Sequence, residues 1–121
     1  MKVQEIMTEA VFEIHSHHTI DHVRKMITQK QVGALPVVDY EGRPVGIVST
    51  TDFISTLNGR AHISTIMTDK VYTIAEDDEV RTAARLMRSH QIHHLVVVYN
   101  QKVVGMLSTF DLLKLVEESE V

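Results

Sequence analysis

The sequence predicts an α+β fold: one β-α-β-β-α unit written twice, packed with pseudo-twofold symmetry, sheets inside and helices outside. Three observations lead there. Gly46-Ile47-Val48-Ser49-Thr50-Thr51-Asp52 returns as Gly105-Met106-Leu107-Ser108-Thr109-Phe110-Asp111, and Ile6-Met7-Thr8 returns as Ile66-Met67-Thr68. Within each copy, short alternating or β-branched runs surround a stretch with helical spacing. The chain of 121 residues is one ordinary domain, whereas half of it, roughly 60 residues, would be marginal alone, so the copies are expected to share one core. The expectation is therefore a single module over residues 1–121, with repeat 1 at 1–59 and repeat 2 at 60–121.

In the first copy, Val11-Phe12-Glu13-Ile14 alternates as a strand, and Ile20, Val23, Met26 and Ile27 recur at helical spacing over residues 19–31. Leu35-Pro36-Val37-Val38 and Val45-Gly46-Ile47-Val48 form a hairpin around the turn-rich Asp39–Pro44, where a one-residue deletion separates the copies. A second helix is expected from Thr50 to Leu57, closed by Asn58-Gly59-Arg60 in a left-handed C-cap. In the second copy Val71-Tyr72-Thr73-Ile74 is the strand, and Val80, Ala83, Ala84 and Met87 mark the buried face of a helix capped by Asp78. His94–Val98 and Val103–Leu107 repeat the hairpin. Methionines 7, 26, 67, 87 and 106 fall on apolar faces and read as core or interface filling.

Composition narrows the function. The apolar content of 44% is ordinary for a globular chain, and no run approaches the roughly 18 apolar residues of a membrane span. There is no cysteine, and the N-terminus lacks the apolar stretch of a secretory signal, so a cytoplasmic location is expected. A net charge of −4 with scattered Lys and Arg lacks the basic stripe of a nucleic-acid binder. No Gly-x-Ser-x-Gly elbow, phosphate-binding Walker loop or cysteine nucleophile is present, so the chain does not read as an enzyme.

Two motifs carry chemistry. Ser49-x-x-Asp52 and Ser108-x-x-Asp111 resemble a capping box, in which Ser and an acid three residues on satisfy the first N–H groups of a helix. The same geometry can serve a ligand: a helix N-terminus favours phosphate, and an aspartate can accept both hydroxyls of a ribose. His15, His17, His18 and His22 crowd the segment between the first strand and helix, where imidazoles could take a transition metal, although their spacing matches no strong zinc pattern. His90 suits a helix C-terminus.

Ile-Met-Thr opening each copy, Gly33-Ala34-Leu35-Pro36-Val37-Val38-Asp39 before the hairpin, and Gly-apolar-apolar-Ser-x-x-Asp after it make nearly the whole chain resemble a tandem pair of CBS domains, a Bateman module. The resemblance implies a regulatory module with adenosine-nucleotide clefts between the repeats. By similarity to nucleotide-binding members such as the gamma subunit of AMP-activated kinase, Asp111 would hold the ribose hydroxyls and Ser108 a phosphate, with adenine against Val32, Gly33 and Phe12. The equivalent cleft would use Asp52 and Ser49, with Ile92, His93 and Tyr72 as its wall. The family often places a basic phosphate contact before the second strand, where this chain has His93 and His94. The first copy has Gly33-Ala34 there, which implies a weaker phosphate site. The resemblance further implies a homodimer, a flat disc of four repeats, and a partner protein that reads the bound state in trans. No cofactor is required; the regulatory ligand remains open among AMP, ADP, ATP, S-adenosylmethionine, NAD and a dinucleotide messenger. The rival readings are a ligand-free dimeric scaffold, whose Ser-x-x-Asp elements serve only as caps, and a metal-responsive module using the histidines.

Overall fold

A computed structural model describes residues 1–9, 13–54 and 58–119. Two compact units emerge, one of Met1–Ala10 with Tyr72–Val121 and the other of Val11–Val71. Each has the α+β composition that the repeat predicts.

The first of these units carries a four-stranded sheet in the order β1-β6-β5-β4, with β1 Thr8–Glu9, β4 Thr73–Ala75, β5 His94–Tyr99 and β6 Lys102–Ser108. β4 runs parallel to β5, and β5 pairs antiparallel with β6 from His94↔Ser108 to Tyr99↔Lys102. The hairpin turns through Asn100 and Gln101, both left-handed (φ 49° and 68°) as a two-residue turn of matching twist requires. Helices α2 (Val80–His90) and α3 (Thr109–Glu118) complete the unit. Ala83 and Met87 of α2 are buried with Ile74, Leu95, Val97 and Leu107. Asp78 does not cap α2. Its carboxylate accepts from the Ala75 N–H at 3.2 Å and so closes the turn leaving β4, while Glu79 occupies the N-cap without a side-chain bond to the helix.

In the other unit α1 spans Ile20–Lys30, one residue inside the expected range at each end, because the Thr19 hydroxyl accepts from the His22 N–H and Gln31 turns left-handed. Its buried face, Ile20, Val23 and Ile27, packs with Leu35, Val37 and Val48 of the hairpin β2 (Ala34–Val38) and β3 (Pro44–Ser49). The Asp39 carboxylate organises the turn by accepting the N–H groups of Glu41 and Arg43, both at 2.9 Å. The expected helix after Thr50 is a 3-10 turn over Thr50–Phe53, and its continuation through Leu57 lies outside the described residues. Of the first expected strand, Val11 and Phe12 also lie outside them; Ile14 is buried and its carbonyl accepts from the Val38 N–H at 2.7 Å.

The expected left-handed cap after Asn58 is corrected. Among the described residues, left-handed backbone falls at Gln31, Gln91, Asn100, Gln101 and Gly42 and not at Gly59. Gly59 serves close approach instead: its carbonyl accepts from the Asp21 N–H at 2.9 Å, and a Cβ there would run into the Asp21 carboxylate. Each unit has its own cluster of buried apolar residues. What completes each is a short leader. Val3, at the head of a 3-10 turn over Val3–Glu5, is fully buried among Ile74, Ala83 and Leu95. Ile63, at the head of the turn Ile63–Thr65, is fully buried among Ile14, Ile20 and Val23. Their geometry is duplicated: Val3 C=O accepts from Ile6 and Met7, and Ile63 C=O from Ile66 and Met67, all at 3.0 Å. Thr8 then pairs with Met106 of β6, and Thr68 with Ile47 of β3.

Candidate functional site

Ser108 ends β6 and caps α3. Its backbone is extended (φ −118°, ψ 165°), so its N–H lies beyond the reach of the helix and needs another acceptor. Asp111 supplies it. The Oδ2 atom accepts from the Ser108 N–H at 2.8 Å and from the Ser108 hydroxyl at 3.1 Å, while the hydroxyl oxygen accepts from the Asp111 N–H at 3.3 Å. Both bonds to the carboxylate fall on Oδ2; among the described residues none reaches Oδ1. The capping role and a free accepting oxygen therefore coexist on one side chain.

The start of β5 is tied to the same place. His94 faces Ser108 across the ladder, and the His93 carbonyl accepts from the Thr109 N–H at 3.0 Å. The structure thus brings Ser108, Asp111, His93 and His94 together at one end of the sheet. Burial, and next the neighbouring His93, hold the His94 imidazole below its ordinary 6.5 against an opposing pull from Asp111. At neutral pH His94 is an uncharged hydrogen-bonding group, not a fixed cation for phosphate. Ile92 and Tyr72 belong to this unit too, partly buried against its core, and the Tyr72 ring packs on His90 with centroids 4.3 Å apart.

A cavity of about 340 Å³ opens between the leader and α3, lined by Glu5, Ile6, Met7 and Thr8 on one side and Asp111, Lys114, Leu115 and Glu118 on the other. Asp111 is the one sequence-predicted residue on its wall. Thr8 and Lys114 are additions that sequence reasoning missed. Their signals were present: Thr8 ends the repeated Ile-Met-Thr, and Lys114 follows Asp111 by one helical turn on the same face.

The equivalent element in the other unit is again a capping box. Ser49 ends β3, and the Asp52 carboxylate accepts from its N–H at 2.7 Å and its hydroxyl at 3.4 Å, while the Ser49 and Thr51 hydroxyls lie 3.0 Å apart. Ser49 faces Ala34, and the Gly33 carbonyl accepts from the Thr50 N–H at 3.1 Å, matching the His93–Thr109 bond of the other copy. The motif opens on the 3-10 turn Thr50–Phe53. Val32 packs partly buried on the same core as Val23 and Leu35. Phe12 lies outside the described residues.

The histidines form a packed group. His15 stacks on Tyr40 at 4.8 Å between centroids, and the His17 and His18 rings lie 4.7 Å apart, with His22 4.9 Å from His18. Ring nitrogens are already engaged: His15 Nδ1 contacts the Val38 carbonyl at 3.0 Å, its Nε2 contacts Glu13 at 3.2 Å, and His18 Nδ1 accepts from the His15 N–H at 3.0 Å. Among the described residues no three metal-ligating side chains converge, and no helix is long and apolar enough to cross a membrane.

Residues 3–59 and 63–118 each match the CBS domain. This chain belongs to the CBS-domain family, as a tandem pair. The solved CBS domain pair of protein MJ0100, in complex with 5′-methylthioadenosine and S-adenosyl-L-methionine, superposes with a TM-score of 0.88 at 29% identity, covering 97% of this chain and 96% of that one. An uncharacterized 17.7 kDa protein of Acidianus ambivalens is 30% identical over 117 residues, which cover 93% of this chain and 71% of that protein. A homoserine O-acetyltransferase of Methanohalobium evestigatum is 30% identical over 118 residues, 96% of this chain. The chain spans only 24% of that enzyme's length.

Proposed function

We propose that this CBS pair, acting as one module over both repeats, is a regulatory binder of an adenosine-containing ligand, with Asp111 accepting the ribose hydroxyls. The observation that carries the reading is the position of Asp111: it lies on the cavity wall with Oδ1 uncommitted while Oδ2 caps α3. Ser108 positions that carboxylate, and His93 and His94 stand beside it. The solved complex of the MJ0100 pair with methylthioadenosine and S-adenosylmethionine supports the ligand class. Ser49 with Asp52 would supply a second, weaker site of the same design in the other unit. Binding acts by favouring the conformers with higher affinity, which a partner protein then reads. The role is regulatory and not catalytic.

A homodimer fits α3, which has no buried residue and exposes Phe110, Leu113 and Val116 at 79%, 59% and 62%. An isologous interface would set such a stripe against its own copy across a twofold axis.

The rival is a ligand-free scaffold, favoured by the fully formed capping box at Ser108. A thermal-shift screen with methylthioadenosine, S-adenosylmethionine, AMP, ADP and ATP separates them, because ligand at about 100 times its dissociation constant adds roughly 2.7 kcal/mol. A selective upward shift supports the binder; silence with every compound supports the scaffold.

A further inference from the structure

The charges on the cavity wall sort the ligands that it can take. Asp111, Lys114, Leu115 and Glu118 lie at helical spacing along one face of α3, so the cavity follows that helix for about 10 Å, near the length of a nucleoside. Its wall presents three carboxylates, Glu5, Asp111 and Glu118, against one ammonium, Lys114. The leader lysine, Lys2, pairs with Glu79 at 3.0 Å. His94 is uncharged at neutral pH, and neither it nor His93 lines the cavity. The partial positive charge at the start of α3 is already answered by Asp111. A ligand with two to four negative charges would therefore meet a net negative wall, in a chain whose own charge is −4.

Resting on the reading that this is the adenosine site, we infer that it selects adenosine derivatives whose 5′ substituent is neutral or cationic, a thioether or sulfonium, and excludes 5′-phosphates. Glu118 is the specificity-determining residue. It sits in the last turn of α3, exposed, so replacing it leaves the fold and the Asp111 contacts intact.

Isothermal titration of the full chain with adenosine, 5′-methylthioadenosine, S-adenosylmethionine, AMP and ATP tests this. Methylthioadenosine and S-adenosylmethionine should bind at least about tenfold more tightly than AMP, with ATP weakest, and the gap should narrow as salt rises. Glu118→Gln and Glu118→Lys should raise the ratio of AMP affinity to methylthioadenosine affinity stepwise, by roughly threefold and tenfold. AMP or ATP binding as tightly as methylthioadenosine overturns the inference while leaving the adenosine site standing. So does an AMP to methylthioadenosine ratio that neither variant moves. If no adenosine compound binds, adenosine included, the underlying reading falls and takes the inference with it.

Discussion

Asp111 is assigned two roles, and two substitutions pull them apart. Asp111→Ala removes the acceptor of the Ser108 N–H at 2.8 Å and of its hydroxyl at 3.1 Å. Two part-buried donors lose that partner, although the hydroxyl can rotate to another acceptor, while the Ser108 oxygen still accepts from the N–H of residue 111. The cost is about 1 kcal/mol, within the 0.5–2 range of lost caps, or a melting temperature lower by roughly 3–6 °C for a chain of this size. Asp111→Glu is different. Glutamate is the usual third-position partner in a capping box, so stability should stay within about 0.5 kcal/mol of the parent. The added methylene nonetheless moves the carboxylate by about 1.5 Å, enough to lose a ribose contact whose charge-assisted bonds contribute roughly 1.5–3 kcal/mol each. Affinity for methylthioadenosine should then fall at least tenfold in both variants. Urea denaturation gives the stabilities and titration calorimetry the affinities. Asp111→Glu that binds like the parent refutes the ribose role; Asp111→Ala that unfolds like the parent refutes the cap.

Three further outcomes are expected. Phe110→Asp with Leu113→Asp should convert a dimer of twice 13.7 kDa to a monomer of 13.7 kDa by light scattering, since both side chains are exposed on α3. Gly105→Ala should cost about 1–3 kcal/mol and exceed Gly46→Ala in urea denaturation: its Cβ would sit 2.7 Å from the Thr8 backbone carbonyl, whereas that of Gly46 meets only the flexible Met67 side chain. Stability should decline as pH falls below 6.5. Burial and the charges of His22, His17 and His15 keep His18 below that value, and burial and His93 keep His94 below it despite Asp111. The unfolded chain therefore takes up protons first, and the loss continues until the folded imidazoles titrate. A urea midpoint unchanged between pH 7.5 and 5.5 would contradict that assignment.

Much of this was legible because the sequence says it twice. Hydrophobic spacing located α1 and α2, and β-branched runs flanking turn residues located both hairpins. Periodicity does not report which polar residue closes a turn, so Asp78 read as a cap although it bonds back to Ala75. It gives no hint that two glutamines, Gln31 and Gln91, take the left-handed positions after their helices. Nor does it separate an α-helix from a 3-10 turn when the stretch is as short as Thr50–Phe53. At the site, Ser108 and Asp111 were found by repetition, whereas Lys114 and Thr8 required knowing that the leader and α3 border one cavity. That juxtaposition is tertiary.

The leaders carry a consequence for how such a chain could have arisen. The core closed by Val3 is otherwise built from residues after Tyr72, and the one closed by Ile63 from residues before it. A fragment cut at the sequence repeat, residues 60–121, would keep Ile63 and lack the plug that its own core uses. Val3 and Ile63 are equivalent in turn, hydrogen bonds and burial, so a second fragment could lend its Ile63 to the empty Val3 slot. A single ancestral repeat would thus have been complete only in reciprocal partnership with another. Gene duplication and fusion would have made that exchange permanent, and left the two copies free to diverge at His93-His94 and Gly33-Ala34 without either losing its fold.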